Sequence, residues 1–325
     1  MQSFFDPAIL FFVFGILAGA LRSNLEIPPQ ISRFLSLYLL MALGLKGGFA
    51  LSQSGLTQEV IVSLGAALGL AFLVPILGYW VLRRVLNGFD AAAIAATYGS
   101  VSAVTFITAT QYLDTQGIPH GGHMAAAMAL MESPAIVLAV VLANQARKNM
   151  VSPNGPGNIG PNHAPLGRIL HESLTDGAQL LLLGAMLIGV LTGEAGQSAM
   201  KPFSVDLFKG MLAFFLLDMG LLAARNMGKL KGQSVWLLVY AIAGPLAHAG
   251  IALMLGVALG LVPGNLMLLM TLAASASYIA VPAVIRHAIP EANPSLYFGM
   301  SLGLTFPFNI LIGIPLYAHL AKLWG

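Results

Sequence analysis

The chain contains no cysteine, which excludes disulfides and thiol chemistry and leaves the compartment open. Charge is scarce as well. Asp, Glu, Lys and Arg make up 8% of the 325 residues, against about 25% in a soluble domain. That is too little to coat a water-facing surface. The basic residues are scattered, and no Lys/Arg run is long enough for a phosphate-binding face, so a pI near 9.2 does not point to nucleic acid. A Gly-rich phosphate loop, a nucleophile elbow and a zinc-protease helix motif are also missing, so an enzyme is not expected. The first apolar stretch, Ala8 to Leu21, has neither a basic leader nor a convincing cleavage site, and it reads as a retained helix.

What the chain has is apolar sequence. It is 58% hydrophobic, with a mean hydropathy of +0.84. Gly 36 and Pro 18 suit membrane helices, where both are tolerated better than in soluble ones. A span needs about 20 residues. Ten candidates are expected: 7–22, 31–51, 58–85, 91–112, 121–145, 176–192, 203–224, 233–262, 265–288 and 294–321. Alternate loops hold Arg22 and Arg33, Arg83 and Arg84, Arg147, Lys148 and Arg168, Arg225, Lys229 and Lys231, and Arg286. These are eleven of the 15 Lys and Arg. Loops 52–57 and 113–120 have none, and 193–202 has Lys201 alone. The positive-inside rule then makes the basic loops cytoplasmic and puts both termini outside the plasma (inner) membrane.

The chain also repeats itself. Asp90–Ser102 lies over Asn265–Ser277, bringing Ser100 onto Ser275 and Ser102 onto Ser277, and nearly the same shift brings Gly44 onto Gly220. Five spans per half is an odd number, so the second half should enter the membrane upside down. The expected fold is an all-α integral membrane protein of two inverted five-helix repeats, 1–145 and 176–325. A polar cytoplasmic linker, 146–175, joins them, serving as a plain connector or as a docking site for a soluble regulator. Paired interruptions in such repeats point to a transport site.

Helix four carries Tyr98-Gly99-Ser100-Val101-Ser102-Ala103-Val104-Thr105, and helix nine carries Ala274-Ser275-Ala276-Ser277-Tyr278-Ile279-Ala280-Val281-Pro282. Both are expected to break at mid-membrane. Half-helix N-termini favour an anion and C-terminal carbonyls a cation. Gly99, Ser100, Ser102, Ser275, Ser277 and Tyr278 are the candidate anion-binding residues. The alternative is that such hydroxyls only bond back to their own backbone or let helices pack closely. Glu132 lies inside helix five, where a charge costs roughly 2.5–3.5 kcal/mol by insertion scales. It is a candidate cation ligand or proton carrier, or one member of a structural pair. Thr105 and Asn309 complete the candidate cation set. Lys46 and Asp218 flank the matched glycines and could form an ion pair, or could face water separately. His120 and His123 have near-metal spacing without a third ligand. His248 is an intramembrane histidine with a packing role.

The run Arg286-His287-Ala288-Ile289-Pro290-Glu291-Ala292-Asn293-Pro294-Ser295-Leu296-Tyr297-Phe298-Gly299, together with the Ser-rich stretch before it and the two-repeat plan, resembles the sodium-dependent bicarbonate transporter family known from cyanobacteria. The resemblance implies ten helices, a mobile core and a gate, and a homotrimer in lipid. It implies Na⁺-coupled bicarbonate uptake with no further cofactor, and a cytoplasmic partner related to PII signalling proteins. It places the substrate region on Gly99, Ser100, Ser102, Thr105, Ser275 and Ser277. Ala103, Val104 and Tyr278 depart from the cyanobacterial pattern of Gly, Ser and Asp, which opens the substrate to other small anions. An organic-anion or proton-coupled carrier, and an anion sensor without flux, are the other readings.

Overall fold

The computed structural model describes residues 6–150, 177–230 and 232–325. Nearly all of the linker therefore lies outside the described residues. Among the described residues the chain is helical, with no strand. Its elements are α1 Pro7–Ala20, α2 Pro29–Ser54, α3 Gln58–Leu82, α4 Gly88–Gly99, α5 Ala103–Gln116, α6 Met124–Met150, α7 Gly177–Lys201, α8 Phe208–Met227, α9 Val235–Ala258, α10 Pro263–Ala274, α11 Ala280–Ala288, α12 Pro294–Met300, α13 Phe306–Phe308 and α14 Ile314–Trp324. Seven helical stretches are long and apolar enough to cross a membrane, and Pro7–Ala20 and Pro263–Ala274 are shorter apolar helices. Leu17, Leu187 and Trp236 are among many large apolar side chains exposed on the outside, as a lipid-facing surface requires.

Local chemistry sets many of the ends. Asp6, Thr57 and Asn87 cap α1, α3 and α4 by accepting first-turn N–H groups. The expected loop at 193–202 is a correction. The helix kinks at Gly193 (φ 53°) and then continues to Lys201, followed by a π turn, Pro202–Asp206. Gly193 supplies a positive φ that other residues adopt at a cost, so the chain turns without leaving helical hydrogen bonding. The last span is also irregular. Two π stretches, Ser301–Thr305 and Asn309–Gly313, bracket Pro307, which has no N–H to donate.

Glycine decides how the helices pair. α1 packs along α8, and α2 along α7. A Cβ on Gly220 would lie 3.0 Å from the Cα of Gly15, and one on Gly189 would lie 2.9 Å from the Cα of Gly48. Lipid tails are as apolar as Leu, so close packing of small residues is what holds membrane helices together. α1, α2, α7 and α8 form one packed set through these contacts. The second, broken-helix set contains α3, α4 and α6, with α11 on α6, α9 and α10 packed together, and α10 against α5 and α14.

These pairings predict that Gly220→Val costs about 1–3 kcal/mol through overpacking. Gly69→Ala, where a Cβ meets nothing within 4 Å, should gain roughly 0.5–1 kcal/mol from helix entropy. Thermal unfolding in detergent checks both.

Candidate functional site

Both Ser-bearing stretches are breaks in helices. α4 stops at Gly99, Ser100 and Ser102 are extended, and α5 starts at Ala103 with Ser102 as its N-cap. α10 stops at Ala274, and α11 starts at Ala280. Pro282 sits in the first turn of α11, where its missing N–H leaves no intrahelical bond unmade. Bare backbone cannot face lipid, and the burial agrees. Along Gly88–Gln116 94% of the apolar window is buried, against 39% along Val235–Ala258.

The two breaks meet. Ser277 N–H donates to Thr97 O (2.8 Å), and Ser102 N–H donates to Ser275 Oγ (3.0 Å). Ser275 Oγ itself donates to Leu272 O (2.9 Å), so one hydroxyl ties the end of α10 to the start of α5. Ser102 Oγ accepts from Thr105 N–H (3.2 Å) and from Thr105 Oγ1 (3.0 Å), and Ser277 Oγ accepts from Val281 N–H (3.3 Å). Three of the four serines therefore stabilise the broken ends. Ser100 Oγ differs: it is buried without a hydrogen-bond partner.

A cavity of about 200 Å³ opens beside the breaks, lined by Val101, Ser102, Ala103, Val104, Ser277, Tyr278 and Ile279 from the breaks, and by Glu132 from α6. It is smaller than the ~300–1,000 Å³ of pockets for drug-sized ligands. A water takes up about 30 Å³ of liquid, so the space suits a small ion with part of its hydration. The N–H groups of Ala103 and Val104, in the first turn of α5, have no intrahelical acceptor and carry the positive end of the helix dipole. Among the candidate residues, Ser102, Ser277, Tyr278 and Glu132 line this space.

The remaining candidates lie behind the cavity wall. Gly99 packs against the ring of Pro75, where a Cβ would not fit. Ser100 and Ser275 are buried within the breaks, and Thr105 is buried in the first turn of α5. Asn309 Nδ2 donates to Ala274 O (2.8 Å), and Asn309 Oδ1 accepts from Tyr317 (2.9 Å). It thus holds a free carbonyl at the end of α10. Two polar lining residues escaped the sequence reading, Ser36 on α2 and Gln179 on α7. Gln179 Nε2 donates to Glu132 Oε2 at 2.6 Å. A lone Ser or Gln near a span end gives no pattern to read.

Lys46 and Asp218 do not pair, which corrects that expectation. Lys46 Nζ meets Asp114 Oδ2 (2.7 Å), while Asp218 accepts from the Ser32 hydroxyl. Gly44 packs on Leu182 and Ala185 of α7, whereas Gly220 packs on α1, so the matched glycines turn their helices toward different partners. His120 Nε2 lies 3.1 Å from Asp114 Oδ1, and His123 is buried. Among the described residues no three metal-ligating side chains cluster. His248 is buried against Tyr240.

Two substitutions separate structure from binding. Asn309→Leu leaves Ala274 O and the Tyr317 hydroxyl unpaired and should cost about 1–3 kcal/mol in thermal unfolding. Ser100→Ala removes a hydroxyl without a partner, so unfolding should be unchanged and any loss belongs to function.

Comparison with curated proteins finds no match. A family model spans residues 7–322, nearly the whole chain. Two helix breaks meeting inside apolar helices beside a small polar cavity are what a carrier of a small ion needs, and the chain belongs to the Na⁺-dependent bicarbonate transporter superfamily.

Proposed function

We propose that the protein is a secondary transporter that takes up a small anion, bicarbonate first, together with Na⁺ across the plasma membrane. The observation that carries this reading is the small cavity at the first turn of α5, where Ala103 and Val104 offer free N–H groups beside the hydroxyls of Ser102 and Ser277. Preorganised N–H donors in a water-poor site replace an anion's hydration. Glu132 lies on the same cavity and would supply the negative charge for Na⁺, with Thr105 and Asn309 behind it.

The proposed topology is ten spans in two inverted repeats, 1–145 and 176–325. The reciprocal packing supports it: α1 lies on α8 as α2 lies on α7, and α3 lies on α4 as α9 lies on α10. Exchanging the halves maps each pair onto the other. With the basic loops inside, both termini are outside. A homotrimer and a PII-like regulator at the linker belong to the same proposal.

The energetics favour a coupled cation. Bringing one negative charge in against about 100 mV costs about 2.3 kcal/mol. One Na⁺ moving with it cancels that charge, and its own gradient drives accumulation.

Uptake of labelled bicarbonate and of other small anions into proteoliposomes should rise at least tenfold with an inward Na⁺ gradient. Glu132→Gln should remove that dependence, since it keeps the shape and deletes the charge. Uptake that follows a proton gradient and ignores Na⁺ would instead make Glu132 a proton carrier. Binding without flux would make the protein a sensor.

A further inference from the structure

The ion pairs of the described residues differ in what they join. Lys209–Asp6 (3.0 Å) ties α8 to the residue capping α1, within the glycine-packed set. Arg147–Glu291 (2.7 Å) ties α6 to the turn after α11, within the broken-helix set. His120–Asp114 joins the end of α5 to the loop that follows it. Lys46–Asp114 (2.7 Å) joins α2, in the glycine-packed set, to α5, in the broken-helix set. It crosses between the two sets.

Its position along the helices is equally specific. The binding cavity is lined by Ser36 near the start of α2 and by Ala178 and Gln179 in the first turn of α7. These ends adjoin the basic loops. Lys46 lies two turns before the far end of α2, Asp114 is in the last turn of α5, and His120 is in the loop after it. A second cavity of about 280 Å³ sits there, lined by Lys46, Asp114 and His120, with Leu43 and Phe106 at its inner end. Leu40 and Val104, a turn or less further in, already line the binding cavity. The two spaces therefore follow one α2–α5 seam and are separated by about one helical turn.

We propose that Lys46, Asp114 and His120 form a latch that shuts the outer mouth of this seam while the binding cavity is reached from the basic-loop side. Both oxygens of Asp114 are held, Oδ2 by Lys46 and Oδ1 by His120. Lys46 Nζ also lies 5.1 Å from the ring of Phe208 on α8, so its free position is anchored on the glycine-packed set. Any shift of the broken-helix set along α2 that admits ligand from outside has to part Lys46 from Asp114. An ion pair partly exposed to water biases the closed arrangement modestly and reforms on return. This inference rests on the carrier reading, but its test reads access and not flux.

The chain has no cysteine, so a single Ala103→Cys places one thiol on the binding cavity. In vesicles of known orientation, a membrane-impermeant thiol reagent should label Cys at 103 slowly from the outer side. Lys46→Ala and Asp114→Ala should each speed outer labelling severalfold and slow inner labelling. The exchange Lys46→Asp with Asp114→Lys should return both rates toward the starting values. Outer labelling unchanged in both single variants would overturn the latch. As an independent check, Lys46→Cys with Asp114→Cys, joined by a reducible bifunctional reagent, should hold the outer mouth shut. An added Ala103→Cys would then be labelled only from the inner side until the link is reduced; outer labelling with the link intact would also overturn it. A protein that moves no anion in any uptake assay, yet shows these labelling changes, would remove the carrier reading and leave the latch.

Discussion

The constraint on which the structure depends is that an interrupted helix must satisfy its backbone without water. α4 and α10 both stop inside apolar surroundings, and each stop frees carbonyls at one end and N–H groups at the other. Lipid can answer neither. The solution is to place the breaks against each other. Thr97 O takes the N–H of Ser277, Ser275 Oγ takes the N–H of Ser102, and Asn309 takes Ala274 O. The residues whose N–H groups these contacts leave open, Ala103 and Val104 in the first turn of α5, line the cavity.

This arrangement gives the serines two roles in sequence that merge in space. Ser102, Ser275 and Ser277 cap and cross-link the broken ends, and Ser102 and Ser277 also line the space in which an ion could lie. The choice between a structural hydroxyl and a binding hydroxyl is thus false for these positions. A hydroxyl that accepts a helix N–H still has its own O–H to donate to an anion, and a rigid cap is a well-oriented donor. Ser100 is the exception, buried and without a partner.

Around the breaks, two kinds of adhesion hold the helices. Glycine contacts pack α1 on α8 and α2 on α7, and such contacts are indifferent to charge. Polar links from that set to the broken helices include Lys46 to Asp114 at one end of the seam and Gln179 to Glu132 at the other. Tight packing within each set is what allows two bodies to move against one another without either losing its shape.

The helical class and the places where two helices break were legible in the sequence, because apolar length and Ser-rich interruptions are local signals. The sequence also located the last span, though not its π turns, which arise where Pro307 interrupts bonding. Partnership was not legible. Lys46 was matched with Asp218 by the repeat, yet it meets Asp114, because Gly44 and Gly220 seat their helices on different neighbours. Gln179 and Ser36 reach the cavity only because α7 and α2 close over α6. Periodicity and composition act within one helix, where the chain itself fixes spacing. Which side chains meet across helices depends on rotation and depth, and those were decided by close packing in three dimensions.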